Sequence, residues 1–255
     1  MMRVLVTQAD ESGRLSAVLR ARGAEVWNVP TIRIAPPDDW HEADEALKQW
    51  SSFGWVVFTS ANTVRAVWER LKLLGVNADD SVPRVAAVGR ATAATIQERG
   101  WPVDCVPAEY RGDALAAALV GSGPLRGVRV LFPKGDLARE VVPEALRSAG
   151  AEVVEIVVYR TVPADVDAAG LRSALCGGAA DALTFTSPST VTFFVRSVGA
   201  NIWDAMPESV VVASIGPTTT AALKDSGRPP DCQAAEATVD ALADAVMSAL
   251  QEIKR

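Results

Sequence analysis

Histidine is almost absent from this 255-residue chain, since His41 is its one example. A serine triad and a histidine-rich metal centre both need histidine at the reacting atoms, so neither can be assembled here. His41 lies in the polar run 38–42 at a predicted helix start, and we interpret it as a surface or capping residue. The three cysteines, Cys105, Cys176 and Cys232, have no metal-ligand spacing and no even count to pair. They predict reduced thiols in a cytoplasmic protein that holds no metal.

The signatures of nucleotide, membrane and nucleic-acid binding are also missing. No Gly-x-Gly-x-x-Gly turn follows a predicted strand and no P-loop is present, so we expect no nucleotide cofactor. No window approaches the roughly 20 apolar residues of a membrane span. The net charge of −6, without a basic run, argues against nucleic-acid binding. With 49% apolar residues, the chain is predicted to be a soluble globular protein of one large or two ordinary domains.

An internal repeat with an offset of 126–127 residues is the strongest positive signal. The matching segments are 3–7 with 129–133, 23–26 with 150–153, 57–60 with 184–187, 88–89 with 215–216, 102–105 with 230–232, and 113–115 with 240–242. Agreement along successive blocks in the same order is hard to obtain by chance. We therefore interpret the chain as a duplicated unit.

Each half of the chain alternates short apolar strands with helices. The predicted strands of the first half are 3–7, 25–29, 55–58, 84–88 and 103–106, and the second half repeats the order from 128 to 250. Continuous apolar strands that alternate with helices indicate parallel sheets covered on both faces. The sequence therefore predicts an α/β fold with two doubly wound parallel-sheet domains of similar topology.

The boundary between the two domains has two solutions. The segment Gly121-Ser122-Gly123-Pro124 is typical of a linker and favours a tandem division near residue 125. In the alternative, the first strand–helix–strand piece joins the end of the chain, and two proline-ended strands at 31–36 and 157–163 are the crossings. Composition alone favours the tandem division.

The two proline-ended strands are copies that differ at one chemically important position. Ile32 corresponds to Tyr159, and Arg33 corresponds to Arg160. Tyr159 thus places an ionisable phenol where the other copy has an aliphatic side chain. We interpret Tyr159 as facing a cleft between the domains, against the alternative of a buried tyrosine whose hydroxyl is hydrogen-bonded.

Four loops that follow predicted strands are rich in hydroxyl groups, and each opens a helix. They are 59–62, 89–92, 186–190 and 216–220. Ligands of open α/β sheets bind at the carboxyl ends of the strands. The unpaired N–H groups and the dipole of a helix N-terminus suit carboxylates or phosphates there. The loops predict an anion site, and the alternative is that their residues only cap the helices.

The sequence resembles the uroporphyrinogen-III synthase family over essentially its whole length. The motifs that carry the resemblance are Phe58-Thr59-Ser60-Ala61-Asn62, Val88-Gly89 with Thr92-Ala93, Gly112-Asp113-Ala114-Leu115, Val158-Tyr159-Arg160-Thr161, Phe185-Thr186-Ser187-Pro188-Ser189 and Ile215-Gly216-Pro217-Thr218-Thr219. Each motif is short, and their order and spacing together make the match specific.

The resemblance implies a bilobed protein with the exchanged arrangement of domains. One domain is expected to hold residues 1–34 and 165–255 and the other 38–157, joined by a two-stranded β linker at 30–37 and 157–164. Two such connections are expected to permit hinge motion. The family uses no cofactor, metal or organic. Because no large exposed apolar face is marked in the sequence, we expect a monomer.

The family cyclises hydroxymethylbilane, a linear tetrapyrrole, with loss of water and inversion of ring D, and so gives uroporphyrinogen III for haem, sirohaem and cobalamin. By resemblance, Tyr159 is the catalytic residue and donates a proton or a hydrogen bond to the departing hydroxyl. The expected substrate-binding or positioning residues are Thr59, Ser60, Asn62, Gly89, Thr92, Ser187, Ser189, Gly216, Thr218 and Thr219. Candidate partners for the substrate carboxylates are Arg65, Arg90, Arg139 and Arg160.

Two other functions fit parts of the pattern. A catalytically silent tetrapyrrole-sensing module of the same fold would keep the hydroxyl loops, but the presence of Tyr159 favours an enzyme. A sugar-phosphate isomerase-like domain is suggested by the loop 186–190, but no His/Glu base pair lies on neighbouring loops. The resemblance leaves open a transient contact with the preceding enzyme of the pathway.

Overall fold

The computed structural model describes residues 2–8, 13–78, 82–109, 111–138 and 140–253. The chain forms two compact units, the first from Met1–Ile34 with Val162–Arg255 and the second from Ala35–Thr161. The chain therefore passes from one unit to the other after Ile34 and returns after Thr161.

The first unit is built on a sheet that has five strands among the described residues. Its strands are β1 (Met2–Val6), β2 (Ala24–Asn28), β8 (Ala182–Phe185), β9 (Val211–Ser214) and β10 (Cys232–Gln233). Its helices are α1 (Arg14–Ala21), α7 (Ala168–Cys176), α8 (Pro188–Val198), α9 (Ile202–Ala205), α10 (Pro217–Asp225) and α11 (Val239–Ile253). The strands lie in the order β10-β9-β8-β1-β2, and neighbouring strands are parallel.

The second unit has a sheet of the same kind, again with five strands in the described part of the chain. Its strands are β3 (Ile32–Ala35), β4 (Trp55–Phe58), β5 (Arg84–Ala87), β6 (Arg129–Gly135) and β7 (Glu152–Pro163), in the order β3-β7-β6-β4-β5. Its helices are α2 (His41–Leu47), α3 (Ala61–Leu73), α4 (Arg90–Gln97), α5 (Gly112–Gly121) and α6 (Val141–Ser148), with a 3₁₀ turn at Trp50–Ser52. The pairings of β4 with β5 and β6, and of β6 with β7, are parallel.

Each sheet combines strands from both halves of the sequence. In the first unit Val4 of β1 lies opposite Ala182 of β8, and in the second Trp55 of β4 lies opposite Val130 of β6. The tandem division near residue 125 is therefore wrong. The segment 121–124 connects α5 to β6 within one unit, because hydrogen-bonded pairing of distant strands decides membership of a sheet and local composition does not.

The central strands are buried on both faces, as their uninterrupted apolar sequences predict. In β4, Trp55 and Val57 pack into one hydrophobic cluster while Val56 and Phe58 pack into another on the opposite face. This alternation follows from the two-residue period of a strand. The rigid layer fixes the ends of the strands, from which the hydroxyl-rich loops leave.

The predicted strand at 103–106 is shorter than expected. In the described part of the chain it contributes an isolated bridge between Ala86 and Cys105 at the end of the sheet next to β5. None of the helices in the described ranges is both long and apolar enough to cross a membrane.

Candidate functional site

In both units the hydroxyl-rich loops lie at the carboxyl edge, the edge of the sheet at which parallel strands end. In the second unit β4 and β5 end side by side, with Phe58 opposite Ala87, and lead into α3 and α4. In the first unit β8 and β9 end with Phe185 opposite Ser214 and lead into α8 and α10. Each carboxyl edge therefore presents two adjacent helix N-termini, whose N–H groups favour an anion.

Ser60 and Ser187 are the N-caps of α3 and α8. Ser60 Oγ accepts the main-chain N–H of Thr63 at 3.1 Å, and Ser187 Oγ accepts that of Thr190 at 3.2 Å. Thr190 Oγ1 accepts the Ser187 N–H in return, which completes a capping box. Each serine oxygen therefore has a structural role at its helix start, in addition to any role towards a ligand.

The other predicted polar residues of these two loops are half-buried. Asn62 Oδ1 accepts from the Arg65 guanidinium at 3.1 Å, and Ser189 Oγ lies 2.9 Å from Ser187 Oγ. Thr59 follows β4 directly and is partly exposed. The carboxyl edge of the second unit thus carries a hydroxyl, an amide and a cation within one turn of α3.

The helices α4 and α10 begin after glycines in extended conformation. Gly89 has φ −174° and Gly216 has φ 175°, so any residue can adopt either backbone. A Cβ added at Gly216 would lie 3.8 Å from its nearest neighbour, Ala237 Cβ, which is an ordinary contact. The packing of the protein therefore does not require glycine at 216, whereas close approach of a ligand to the backbone would.

Thr218 is the most exposed of the four predicted threonines, and Thr59 is partly exposed. Thr92 and Thr219 are 5% and 1% exposed in the first turns of their helices, which suits positioning better than direct contact. Ala91 occupies the place of Thr218 in the other half, so the exposed hydroxyl is present on one unit only.

Tyr159 lies at the carboxyl edge of the second unit, near the end of β7. The pairing of β6 with β7 shifts register between Lys134 and Gly135, so that Lys134 lies opposite Val157 and Gly135 opposite Tyr159. Tyr159 packs against the hydrophobic cluster that contains Ile156 and Val158. Its ring also covers Gly135.

Tyr159 is half-buried, and the burial of its phenol raises the pKa above the ordinary value. The charge of Asp136 raises the pKa further, while the neighbouring Ser60 hydroxyl lowers it as a hydrogen-bond partner. The group is therefore protonated at neutral pH, next to the N-terminus of α3.

The positive groups near these loops differ in their partners. Arg160 is paired with Asp38 and donates to Pro36 O at 3.3 Å. Arg65 is exposed and donates a hydrogen bond to Asn62, and Arg90 is the exposed first residue of α4. Arg139 lies outside the described residues.

Lys134 is a cation near the carboxyl end of β6. Its Nζ lies 2.8 Å from Glu140 and 2.6 Å from Glu155. Burial is the largest single influence on the pKa of Lys134 and lowers it, but the two carboxylates together raise it by more, so the pKa lies above its ordinary value. Two carboxylates therefore neutralise Lys134. Among the described residues, no group of three His, Cys, Asp or Glu side chains is arranged to hold a metal ion.

The sequence did not predict that the turn at Gly135-Asp136 lies next to Tyr159. Asp136 N–H donates to Tyr159 O at 3.2 Å, and Asp136 Oδ1 accepts the Thr161 N–H at 2.9 Å. The available signal was the position of this Gly-Asp turn at the end of β6, directly after Lys134.

Comparison with known proteins gives matches along most of the chain. The family model described as uroporphyrinogen-III synthase HemD matches residues 13–244. The uroporphyrinogen-III synthase of Synechococcus elongatus is 34% identical over 245 residues, covering 94% of this chain and 92% of the relative. That of Chlorobaculum parvum is 30% identical over 234 residues, covering 89% and 90%.

Solved structures show the same fold. A mutant uroporphyrinogen III synthase from Thermus thermophilus superimposes with a TM-score of 0.69 at 21% identity, covering 99% of this chain and 100% of that one. The Helicobacter pylori uroporphyrinogen-III synthetase gives a TM-score of 0.66 at 18% identity, with 97% and 99% covered.

Proposed function

Because this chain belongs to the uroporphyrinogen-III synthase family, whose members are lyases, we propose that it closes hydroxymethylbilane to uroporphyrinogen III with loss of water and inversion of ring D. The family match over residues 13–244 carries the proposal. The position of a protonated phenol beside a helix N-terminus supports it, because the reaction needs a donor for the departing hydroxyl and anchors for carboxylates.

The reaction begins when the hydroxyl of the hydroxymethyl group on ring A departs, and the proton that ring D releases on final closure converts it to water. The resulting azafulvenium-like cation is attacked by ring D through its substituted carbon, and the spiro intermediate then fragments and closes in the inverted sense. Tyr159 donates a hydrogen bond to the leaving oxygen. Because burial raises the pKa of Tyr159, complete transfer of the phenol proton is disfavoured and hydrogen bonding to the developing charge is its main contribution.

The carboxylates of the substrate are bound by the N-termini of α3, α4, α8 and α10 in this proposal. Exposed or half-buried groups make the contacts: Thr59, Ser60, Asn62, Ser187, Ser189 and Thr218. Thr92 and Thr219 hold the helix starts in position, and Gly89 and Gly216 let the substrate approach the backbone. The protein decides which carbon of ring D reacts by holding the linear tetrapyrrole in a folded conformation. This positioning lowers the activation free energy by more than a single hydrogen bond does.

We extend the proposal to the organisation of the protein. The residues 1–34 with 165–255 and the residues 38–157 are two domains of a duplicated ancestor, linked by the strands 30–37 and 157–164. The corresponding strand orders of the two sheets support the duplication. The protein acts in the cytoplasm as a monomer, and it takes its unstable substrate from solution or from a transient contact with the enzyme that produces it.

The test is to supply freshly prepared hydroxymethylbilane to the purified protein and to separate the uroporphyrin isomers after oxidation. We expect the type III isomer in excess over the type I isomer that forms by spontaneous closure. If only the type I isomer forms, at the rate of the protein-free reaction, the proposed synthase activity is wrong. Binding of uroporphyrinogen by the same preparation would then indicate a catalytically silent tetrapyrrole-binding module.

A further inference from the structure

We propose that Gly135 is a positioning residue for Tyr159, and that the space left by its missing side chain sets the direction of the phenol ring. The inference rests on the proposed function, because it assigns Gly135 a role through the group that faces the leaving hydroxyl. Nothing in the comparisons assigns a role to this glycine.

Space is the first observation. A Cβ added at Gly135 would come within 2.6 Å of Tyr159 Cε2 and 2.7 Å of Tyr159 Oη, whereas real Cβ atoms essentially never approach closer than 3.0 Å. The Gly135 backbone is not in the left-handed region, so its conformation is open to any residue. Glycine is therefore required here to admit the ring and not to permit the turn.

The main chain around the ring is held from the same turn. Register shifts at Gly135, which brings it opposite Tyr159, and Asp136 N–H then donates to Tyr159 O at 3.2 Å. Asp136 Oδ1 accepts the N–H of Thr161 at 2.9 Å. Asp136 thus holds the main chain at Tyr159 and at Thr161, while Gly135 leaves room for the ring of Tyr159.

The internal repeat supplies an independent observation. Continuing the match of 3–7 with 129–133 by two residues places Ala9 in correspondence with Gly135. Ala9 lies outside the described residues, so the comparison is one of sequence. The half that has alanine at this position has Ile32 in place of the tyrosine, whereas the half with glycine has Tyr159. The two changes occur together, as expected if the glycine exists to admit the phenol.

The consequence of an added methyl group follows from these contacts. Packing in protein interiors leaves no void that would absorb it, so the ring must swing out from the cluster around Ile156 and Val158. The phenol then leaves the neighbourhood of Ser60 and becomes more exposed. Because burial is the main cause of the raised pKa of Tyr159, that pKa must fall.

The phenol can be titrated alone, because the sequence contains only two tyrosines, Tyr110 and Tyr159. In a Tyr110→Phe background, tyrosinate absorbance reports Tyr159 directly, without substrate. We expect Gly135→Ala to move the pKa of Tyr159 down towards its ordinary value of about 10. Gly121→Ala is the matched control, since a Cβ at Gly121 meets nothing within 4 Å, and its titration should equal the parent's. A Gly135→Ala curve identical to the parent's overturns the proposal.

Activity and stability complete the test. Gly135→Ala should slow type III formation about as much as Tyr159→Phe. In the double variant, Gly135→Ala should slow the reaction by less than about a further twofold, because the effects of residues that act through one group are not additive. If Gly135→Ala prevents folding, Gly135→Ala combined with Tyr159→Leu should fold again. A double variant that stays unfolded, or full additivity of the rate effects, overturns the proposal. Failure of the proposed function appears separately, as an absence of type III product from the parent protein.

Discussion

Asp104 and Val85 are joined by two hydrogen bonds in the second unit. Asp104 Oδ2 accepts the main-chain N–H of Val85 at 2.7 Å, and Asp104 N–H donates to Val85 O at 2.8 Å. Asp231 and Val212 repeat the arrangement in the first unit, with the same two distances. In each unit a carboxylate thus takes the place of a strand carbonyl, beside β5 in the second unit and beside β9 in the first, and the repeated dipeptide Asp-Cys marks it in the sequence.

Replacing Asp104 by alanine should lower the free energy of unfolding by about 1–3 kcal/mol, because the buried Val85 N–H loses its acceptor. Denaturant unfolding measures the change. Asp104→Asn is the matched variant, since it keeps an acceptor oxygen in the same place, and it should recover most of the loss. An asparagine variant as unstable as the alanine variant would show that the charge matters and the hydrogen bond does not.

A second prediction concerns acid stability. Arg70 binds Asp44 through two hydrogen bonds of 2.6 Å, and this pairing lowers the pKa of Asp44. Because the pKa is lower in the folded state, the stabilisation is complete above the unfolded value of about 4 and is lost as the pH falls through the folded value. Asp44→Asn should remove about 1 kcal/mol at neutral pH and less in acid, where Asp44 is protonated in the parent as well.

Unfolding free energies measured between acid and neutral pH test the Asp44 prediction. Asp225→Asn is the control, because Asp225 is exposed and forms no ion pair among the described residues. A difference between Asp44→Asn and the parent that stayed constant down to the lowest pH would contradict the ion pair as its source.

Removal of the Tyr159 hydroxyl should slow the reaction without changing its product. We expect Tyr159→Phe to lower kcat by about a hundredfold or less, the lower end for a general acid, because a phenol with a raised pKa contributes a hydrogen bond and not a free proton. The isomer ratio among enzymatic products should stay type III, since folding of the substrate chain decides it. A variant with the parent's kcat would remove the catalytic role from Tyr159.

The charge on α3 should contribute to binding and not to turnover. Arg65 is exposed beside Asn62, and the corresponding residue of the other half, Thr192, is neutral. Arg65→Gln should therefore raise KM by up to about fivefold with kcat unchanged, and added salt should reduce the difference. Arg20→Gln removes the same charge from the last turn of α1 and should leave KM unchanged. If both substitutions raised KM equally, the effect would come from the overall charge of the protein and not from a contact between Arg65 and the substrate.

The sequence predicted the α/β class and the parallel sheets because continuous apolar strands such as β4 can only be buried on both faces. It also identified the loops at the carboxyl edges, since the capping residues Ser60 and Ser187 are local signals. The duplication and the roles of the site residues stay predictions. The position of the tandem division was wrong, because Gly121 to Pro124 report local flexibility alone.

By itself the sequence determined that Tyr159 differs from its copy, Ile32, and that hydroxyl groups follow the strands. Only the tertiary structure decided which groups surround the phenol: Ser60 from one strand end, and Gly135 and Asp136 from another. These residues are far apart in the chain and meet through the pairing of β4, β6 and β7. Composition and periodicity describe one segment at a time, whereas the space beside Gly135 arises from the register between two strands.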